Sequence, residues 1–309
     1  MNHIDITNKK EQEENIKEKG EIKHIVISGG GISGFTAYGI LRESAKSGFW
    51  DIKNIRSFYG TSIGGIISVI LCLQFDWDTM DDYIIKRPWN KVFKLDMYSI
   101  YNSIETVGLF DIKTIEQVFE PLFKAKDLNM NITMKEFYEK IGIEIHLYST
   151  ELNETKLVDI SYKTHPDWTV IESIYCSCCL PILFSPYCKG EEIYYDGGLF
   201  NNYPLNNCCK EVEDYNEIFG IRTNVVDKNK KLNGQFSLFD YLGTLIRNII
   251  IKLEINNNFK IKNEILIESN FNSIYNDIYS FINDIEYRLK LIDIGKNLWQ
   301  DFSSNIENS

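Results

Sequence analysis

The chain has 309 residues, 44% of them hydrophobic, which is enough apolar material for one large domain with a buried core. Its formal net charge of -11 argues against a nucleic-acid partner and gives no general attraction to anionic membranes. The charged leader, residues 1–20, resembles no signal peptide, and no apolar run in the chain reaches the length of a transmembrane helix. We therefore expect a cytoplasmic protein with a disordered leader.

Apolar patterns with the period of strands alternate along the chain with patterns of helical period. Strands are predicted at 22–27, 55–59, 144–149, 156–160, 193–196 and 217–223, with a further candidate at 264–268. Helices are predicted at 33–47, 64–75, 113–123, 133–140, 168–179 and 204–213. This alternation is typical of a three-layer α/β/α fold with a largely parallel central sheet.

Two segments depart from the alternation. Residues 76–111 are less regular and rich in aromatic residues, which fits either a lid over an acyl groove or a surface excursion packed by its own rings. A polar stretch at 228–234 indicates a linker, and helices are predicted beyond it at 236–253 and 284–302. The first of these has a wide apolar face that includes Leu238, Leu242, Leu245 and Ile249. Such a face is usually core, but it would also suit a bilayer surface.

The segment Gly60-Thr61-Ser62-Ile63-Gly64 spells the G-x-S-x-G elbow at the point where a buried strand pattern gives way to a helix. A serine in so sharp a turn exposes its hydroxyl, and Gly60 and Gly64 leave room for the neighbouring backbone. The amide of Ile63 falls in the first turn of the helix, where the helix dipole favours negative charge. Ser62 is therefore the predicted nucleophile.

A glycine-rich loop, Gly29-Gly30-Gly31-Ile32-Ser33-Gly34, follows the first strand. Consecutive glycines can turn several backbone N–H groups into one concavity that suits an oxyanion or a phosphate. The loop also matches the G-x-G-x-x-G dinucleotide fingerprint, which requires an acidic residue at the far end of the next strand. Asp51 stands before that strand, so an oxyanion hole is the favoured interpretation. Its predicted donors are the amides of Gly29, Gly30, Gly31 and Ile63.

A third glycine motif, Asp196-Gly197-Gly198, follows a short strand. An aspartate before two glycines is most often a simple turn. The histidines that could serve as a base are His3 in the leader, His24 and His146 within strand patterns, and His165 in a polar loop. An α/β-hydrolase has its histidine after the acid, and no histidine follows Asp196. A dyad of Ser62 and Asp196 accounts for all three glycine motifs.

These motifs, in this order, resemble the patatin-like phospholipases. The resemblance also includes Ser149 to Asn153, the cysteine-rich stretch 174–186 and a D-G-G-x-x-x-N-x-P pattern that ends at Pro204, and it runs from about Ile22 to Thr223. It implies Ser62 as nucleophile, Asp196 as proton acceptor and the Gly29 to Gly34 loop as oxyanion hole. The associated motif glycines are Gly34, Gly60, Gly64, Gly197 and Gly198. We place the catalytic domain at 21–227 and a mainly helical extension, packed on the same domain, at 228–309.

The resemblance implies a lipid acyl hydrolase of the phospholipase A or lysophospholipase type that works through an acyl-enzyme, with no metal and no organic cofactor. The implied partner is a lipid or phospholipid substrate, either dispersed or at a membrane surface. Ser33 stands where many members carry Arg or Lys, and Ser28 where an acidic residue often precedes the glycines, so one possible phosphate partner is missing. The alternative is a non-catalytic lipid-binding or storage protein of the same fold.

The seven cysteines are clustered and lack the spacing of a disulfide framework. The run Cys176-Ser177-Cys178-Cys179 and the pair Cys208-Cys209 could form a zinc site, but side chains at adjacent positions point apart. We predict that the cysteines are small buried hydrophobic residues in a reducing compartment.

Overall fold

The computed structural model describes residues 21–95, 101, 103, 105–225, 238–254, 259–269 and 274–307. The predicted leader at 1–20 and the predicted linker at 228–234 lie outside these residues. The strands are β1 (His24–Ile27), β2 (Ser57–Thr61), β3 (Gly108–Phe110), β4 (Glu144–Glu151), β5 (Lys156–Ile160), β6 (Ile182–Phe184), β7 (Tyr187–Lys189), β8 (Glu192–Asp196), β9 (Ile218–Val225) and β10 (Glu264–Ser269). The helices are α1 (Gly34–Lys46), α2 (Ile63–Cys72), α3 (Trp77–Lys86), α4 (Ile112–Ala125), α5 (Met134–Ile141), α6 (Val170–Cys178), α7 (Leu205–Glu211), α8 (Leu238–Glu254), α9 (Ile274–Asn283) and α10 (Ile285–Glu307).

The central sheet has eight strands, ordered β10-β9-β1-β2-β4-β8-β7, with β5 also paired to β4. The pairs from β10 to β4 are parallel, whereas β5 and β8 run antiparallel to β4 and β7 runs antiparallel to β8. Ile27 pairs with Gly60, and Gly60 with Leu147, so β1 and β2 end at the same edge of the sheet. The predicted α/β fold with a largely parallel sheet is confirmed.

The two faces of the sheet bury different apolar clusters. Ile25 and Ile27 of β1 belong to a large core on one face, and Val26 between them belongs to a smaller core on the other. Successive side chains of a strand point to opposite faces, so a strand covered on both sides must be apolar throughout. The sandwich of helices, sheet and helices follows from this continuous apolar pattern.

The segment 76–111 is more regular than the sequence indicated. Its first part forms α3, whose residues Met80, Ile84 and Ile85 are buried. Trp89 is buried as well and donates its indole N–H to the Ile84 carbonyl at 2.8 Å. The prediction of an irregular segment is therefore wrong for 77–91, which packs into the core. Residues 96–100, 102 and 104 of the same segment lie outside the described residues.

The C-terminal part contributes to the main fold in two ways. Strand β10 extends the central sheet by pairing with β9, and α10 packs along α1. The two helices can approach closely because Gly39 and Gly295 have no side chain at the contact. A Cβ on Gly39 would collide with the Ile292 carbonyl, and one on Gly295 with the Thr36 carbonyl. The division at residue 227 stays a prediction, because residues 226–237 lie outside the described residues.

The wide apolar face of α8 is only partly covered. Ile246 and Ile250 are half-buried, but Leu245 and Ile249 are 47% and 44% exposed. Of the two alternatives for this face, core packing therefore applies only to the half-buried side, and the other side faces solvent.

Candidate active site

Ser62 lies between β2 and α2 with φ 56° and ψ -126°, outside the α and β regions that a serine normally adopts. This strained turn needs glycines on both sides. A Cβ on Gly60 would lie 2.7 Å from the backbone of Gly64, and one on Gly64 would collide with the Ile27 carbonyl. The side chain of Ser62 is half-buried, so its hydroxyl is held at the edge of the sheet instead of within the core.

Hydrogen bonds to α6 hold the turn at Ser62 in place. The Ser62 amide donates to both the carbonyl and the hydroxyl oxygen of Ser177, each at 3.1 Å. Ser177 is fully buried near the end of α6. The sequence indicated only a cysteine cluster at this point, and no local pattern distinguishes the serine within it.

Asp196 is the last residue of β8 and is 2% exposed. Its carboxylate accepts a hydrogen bond from the Gly198 amide at 2.7 Å, and the side chain of Ser62 is close enough to lower the pKa of this carboxyl group. Burial raises the pKa of Asp196 from 3.8 to about 6, against a smaller lowering by the Ser62 side chain and the Gly198 amide. A carboxylate with this pKa is ionised near neutral pH and is a better base than an exposed aspartate.

The structure changes the expected set of oxyanion donors. The Gly29 amide donates to the Asn202 carbonyl at 2.9 Å, so it is not available to a substrate oxygen, and its assignment as a donor is wrong. Within the described part of the chain, no hydrogen bond uses the amides of Gly30, Gly31 and Ile63. Ile63 is the first residue of α2, whose N-terminal amides have no partner in the helix.

Asn202 joins the glycine loop to the turn at Asp196. Besides its carbonyl bond, its side-chain amide donates to the Gly29 carbonyl at 3.4 Å. Its side-chain oxygen fills the space that a Cβ on Gly29 would need and lies 3.0 Å from the corresponding position on Gly198. A Cβ on Gly29 would also lie only 3.2 Å from the Ser62 Cβ. The three glycine motifs therefore meet at one place. Asn202 is the asparagine of the D-G-G-x-x-x-N-x-P pattern, but its contacts with the glycine loop were not predicted, because they join distant parts of the sequence.

The remaining motif positions are structural contacts. A Cβ on Gly34 would collide with Ile63, and one on Gly197 would collide with the Tyr148 carbonyl. Ser28 and Ser33, which depart from the family pattern, are both buried. The Ser28 hydroxyl oxygen accepts from the Thr223 amide at 2.7 Å, and the Ser33 hydroxyl donates to Ser269 at 2.8 Å. Ser33 therefore ties the glycine loop to β10 and offers no cation to a substrate.

The described histidines have partners outside this site. His24 hydrogen-bonds Ser57 at the start of β1, and His146 hydrogen-bonds Asp159. His165 hydrogen-bonds Thr164. The cysteines form no disulfide among the described residues, and all are buried except Cys188, which is exposed, and Cys209, which is half-buried.

A family model described as patatin-like phospholipase matches residues 25–208, more than half of the chain and all three glycine motifs. The chain belongs to the patatin-like phospholipase family. A stretch of 190 residues of this chain is 27% identical to a probable lipid hydrolase, 463L, of Invertebrate iridescent virus 6. This stretch covers 61% of this chain and 63% of that protein. A stretch of 187 residues is 26% identical to the uncharacterized protein R571 of Acanthamoeba polyphaga mimivirus, covering 60% and 61% of the two chains. The similarity thus spans less than two thirds of either viral relative.

Among solved structures, the chain is similar to VipD from Legionella pneumophila, with a TM-score of 0.58 over 93% of this chain and 67% of that one. The two are 14% identical in sequence, so the likeness concerns the fold alone. The family fold thus brings a strained serine, a buried carboxylate and a helix N-terminus together at one sheet edge. Such a group of residues can form and break an acyl ester.

Proposed function

We propose that this protein is a lipid acyl hydrolase that cleaves carboxylic esters through an acyl-enzyme on Ser62. The observation that carries the proposal is the position of Ser62, held in a strained elbow, beside the buried carboxylate of Asp196, whose pKa is raised to about 6. Family membership and the similarity to a viral protein named a probable lipid hydrolase support a lipid ester as substrate.

In the proposed acylation step, the Ser62 hydroxyl oxygen attacks the ester carbonyl while its proton passes to the Asp196 carboxylate. The oxyanion that forms accepts hydrogen bonds from the free amides of Gly30, Gly31 and Ile63. Preorganised donors of this kind are each worth about 10²–10³ in rate in serine hydrolases. When the tetrahedral intermediate collapses, protonated Asp196 gives the proton to the leaving alcohol.

Deacylation repeats the same steps with water as the nucleophile. Ionised Asp196 takes a proton from the water, which attacks the acyl carbonyl on Ser62, and the returning proton restores the serine hydroxyl. The raised pKa helps in both halves, because a rise of about two pKa units gives the carboxylate about a hundredfold higher affinity for the proton it must accept.

We further propose that the enzyme meets its substrate at a lipid surface. Helix α8 packs against residues 197–199, directly after Asp196, and against β6. It presents Leu245 and Ile249 to solvent, and Phe200, which follows the same turn, is 43% exposed. Exposed apolar side chains beside a lipid hydrolase site favour docking on a membrane or micelle. No helix among the described residues is long and apolar enough to cross a membrane.

A fluorophosphonate probe tests the catalytic proposal, because an oxyanion hole built for a tetrahedral acyl centre should also hold a phosphonyl group. The wild-type protein should label at one residue and hydrolyse lipid esters, and Ser62→Ala should lose both properties. A folded wild-type protein that neither labels nor hydrolyses mixed lipid extracts would favour the lipid-binding or storage alternative.

A further inference from the structure

A second cluster of ionisable side chains lies away from the Ser62 site, at the amino-terminal end of β4. Glu144 and His146 are two residues apart on β4 and therefore share one face of the sheet. Glu211, the last residue of α7, approaches them so closely that one ligand atom from each of the three lies within 4.8 Å of the others. His146 pairs with Tyr59, three residues before Ser62, so the cluster is about 10 Å from the nucleophile along the sheet.

His146 is held in one orientation on two sides. Its side chain is 2% exposed, and its ring stacks on Tyr59 with centroids 4.3 Å apart and planes 3° from parallel. Its Nδ1 lies 2.9 and 3.0 Å from the two carboxylate oxygens of Asp159 on β5. A carboxylate at this position holds the proton on Nδ1 and directs the lone pair of Nε2 outward, as in carboxylate–histidine–zinc arrangements.

The outward nitrogen of His146 faces a carboxylate oxygen. Nε2 lies 3.1 Å from Oε1 of Glu144, and both are buried atoms that lack a hydrogen-bond partner among the described residues. With a neutral His146 these two atoms would be facing acceptors, which is unfavourable in a buried place unless a cation or a proton lies between them. In the metal-free protein a proton takes this place, because Asp159 and Glu144 outweigh the effect of burial and raise the pKa of His146 to about 9. A metal ion that binds here must displace this proton.

Lys163 is the cation already near the cluster. Its ammonium nitrogen lies 2.7 Å from Oε1 of Glu144 and 3.6 Å from Oε2 of Glu211, but the approach to Glu144 does not have hydrogen-bond geometry. The Lys163 side chain is 47% exposed, so it can turn into solvent. With Asp159 counted, three carboxylates face one lysine and one histidine.

We propose that Glu144, His146 and Glu211 bind a divalent transition-metal ion of the Zn²⁺ type, with Asp159 as the partner that orients His146. A tetrahedral ion with bonds of about 2.0–2.2 Å holds its ligand atoms about 3.3–3.6 Å apart. The 3.1 Å separation of Nε2 and Oε1 is close to this value, and a small movement of the exposed Glu211 supplies the third ligand. Water takes the fourth position, and Lys163 moves outward. The ion would join β4 to α7, the helix that follows Asn202.

The test is titration of chelator-treated full-length protein with Zn²⁺ by calorimetry, and with Co²⁺ by absorption spectroscopy. We expect one ion per chain and a Co²⁺ spectrum without thiolate absorption. Glu211→Gln, on the surface, should weaken binding at least about tenfold. Glu213→Gln, an exposed carboxylate two residues away, is the matched control and should leave binding unchanged.

Lys163→Met should tighten Zn²⁺ binding severalfold, because it removes the ammonium group that competes with the ion for Glu144 and Glu211. Lys210→Met, an exposed lysine on α7, controls for the general loss of positive charge. Absence of saturable binding up to about 1 mM Zn²⁺, which corresponds to about -4 kcal/mol, would overturn the proposal. Binding that is the same in wild type, Glu211→Gln and Lys163→Met would place the ion elsewhere and overturn it as well.

Discussion

Replacing Asp196 by asparagine should make the folded protein more stable at neutral pH and nearly inactive. The amide can still accept the bond from the Gly198 amide, but it carries no charge that must be buried. It also cannot take the proton of Ser62. We expect the rate of ester hydrolysis to fall by about two to four orders of magnitude.

The gain in stability follows from the pKa of Asp196, which burial raises from 3.8 to about 6. The folded protein therefore binds this proton more tightly than the unfolded chain. The contribution of Asp196 to the free energy of unfolding is complete below pH 3.8 and is lost as the pH rises through 6. A shift of about two units corresponds to about 3 kcal/mol above that range. Asp196→Asn should avoid this loss.

Urea unfolding of both proteins between pH 4 and pH 8 measures the difference. We expect Asp196→Asn to exceed the wild type by up to about 3 kcal/mol at pH 8 and to match it near pH 4. Asp214→Asn is the control, because Asp214 also accepts a bond from the amide two residues ahead but is exposed. A stability difference that does not change with pH would refute the reasoning from burial. An Asp196→Asn enzyme with more than a tenth of the wild-type rate would refute its role as base.

Three further outcomes follow from the same contacts. Wild-type kcat should fall below pH 6 as Asp196 is protonated. Asn202→Ala should lower kcat about 10- to 100-fold with little change in KM, because the substitution loosens the Gly29 peptide without removing a contact to substrate. An equal rise in KM would contradict this expectation. The double change of Leu245 and Ile249 to Ser should reduce turnover of vesicles more than of a short dispersed ester, whereas Leu266→Ser, also exposed but on β10, should affect neither.

Much of the geometry of the candidate site could be predicted from the sequence because it is local. The turn at Ser62 needs a strand, two glycines and a helix within a few residues, and each leaves its own pattern in the chain. The layered fold could be predicted in the same way, because strand and helix patterns alternate along the chain. A strand that is buried on both faces must also be apolar throughout, which is a local pattern. Asp196 could be singled out because two glycines follow it, no histidine does, and a dyad with Ser62 accounts for all three glycine motifs.

Contacts between distant segments were decided only by the tertiary structure. The Gly29 amide looks free in the sequence, yet it is bonded to Asn202, more than 170 positions away in the chain. Ser62 is likewise bonded to Ser177, 115 positions away, and Ser33 to Ser269, 236 positions away. A periodic pattern shows that a helix such as α8 has an apolar face, but not which part of the face another element covers. Leu245 and Ile249 belong to the apolar face and are nevertheless exposed. Whether a side chain is buried depends on how whole elements pack together, and the residues of one helix do not determine it.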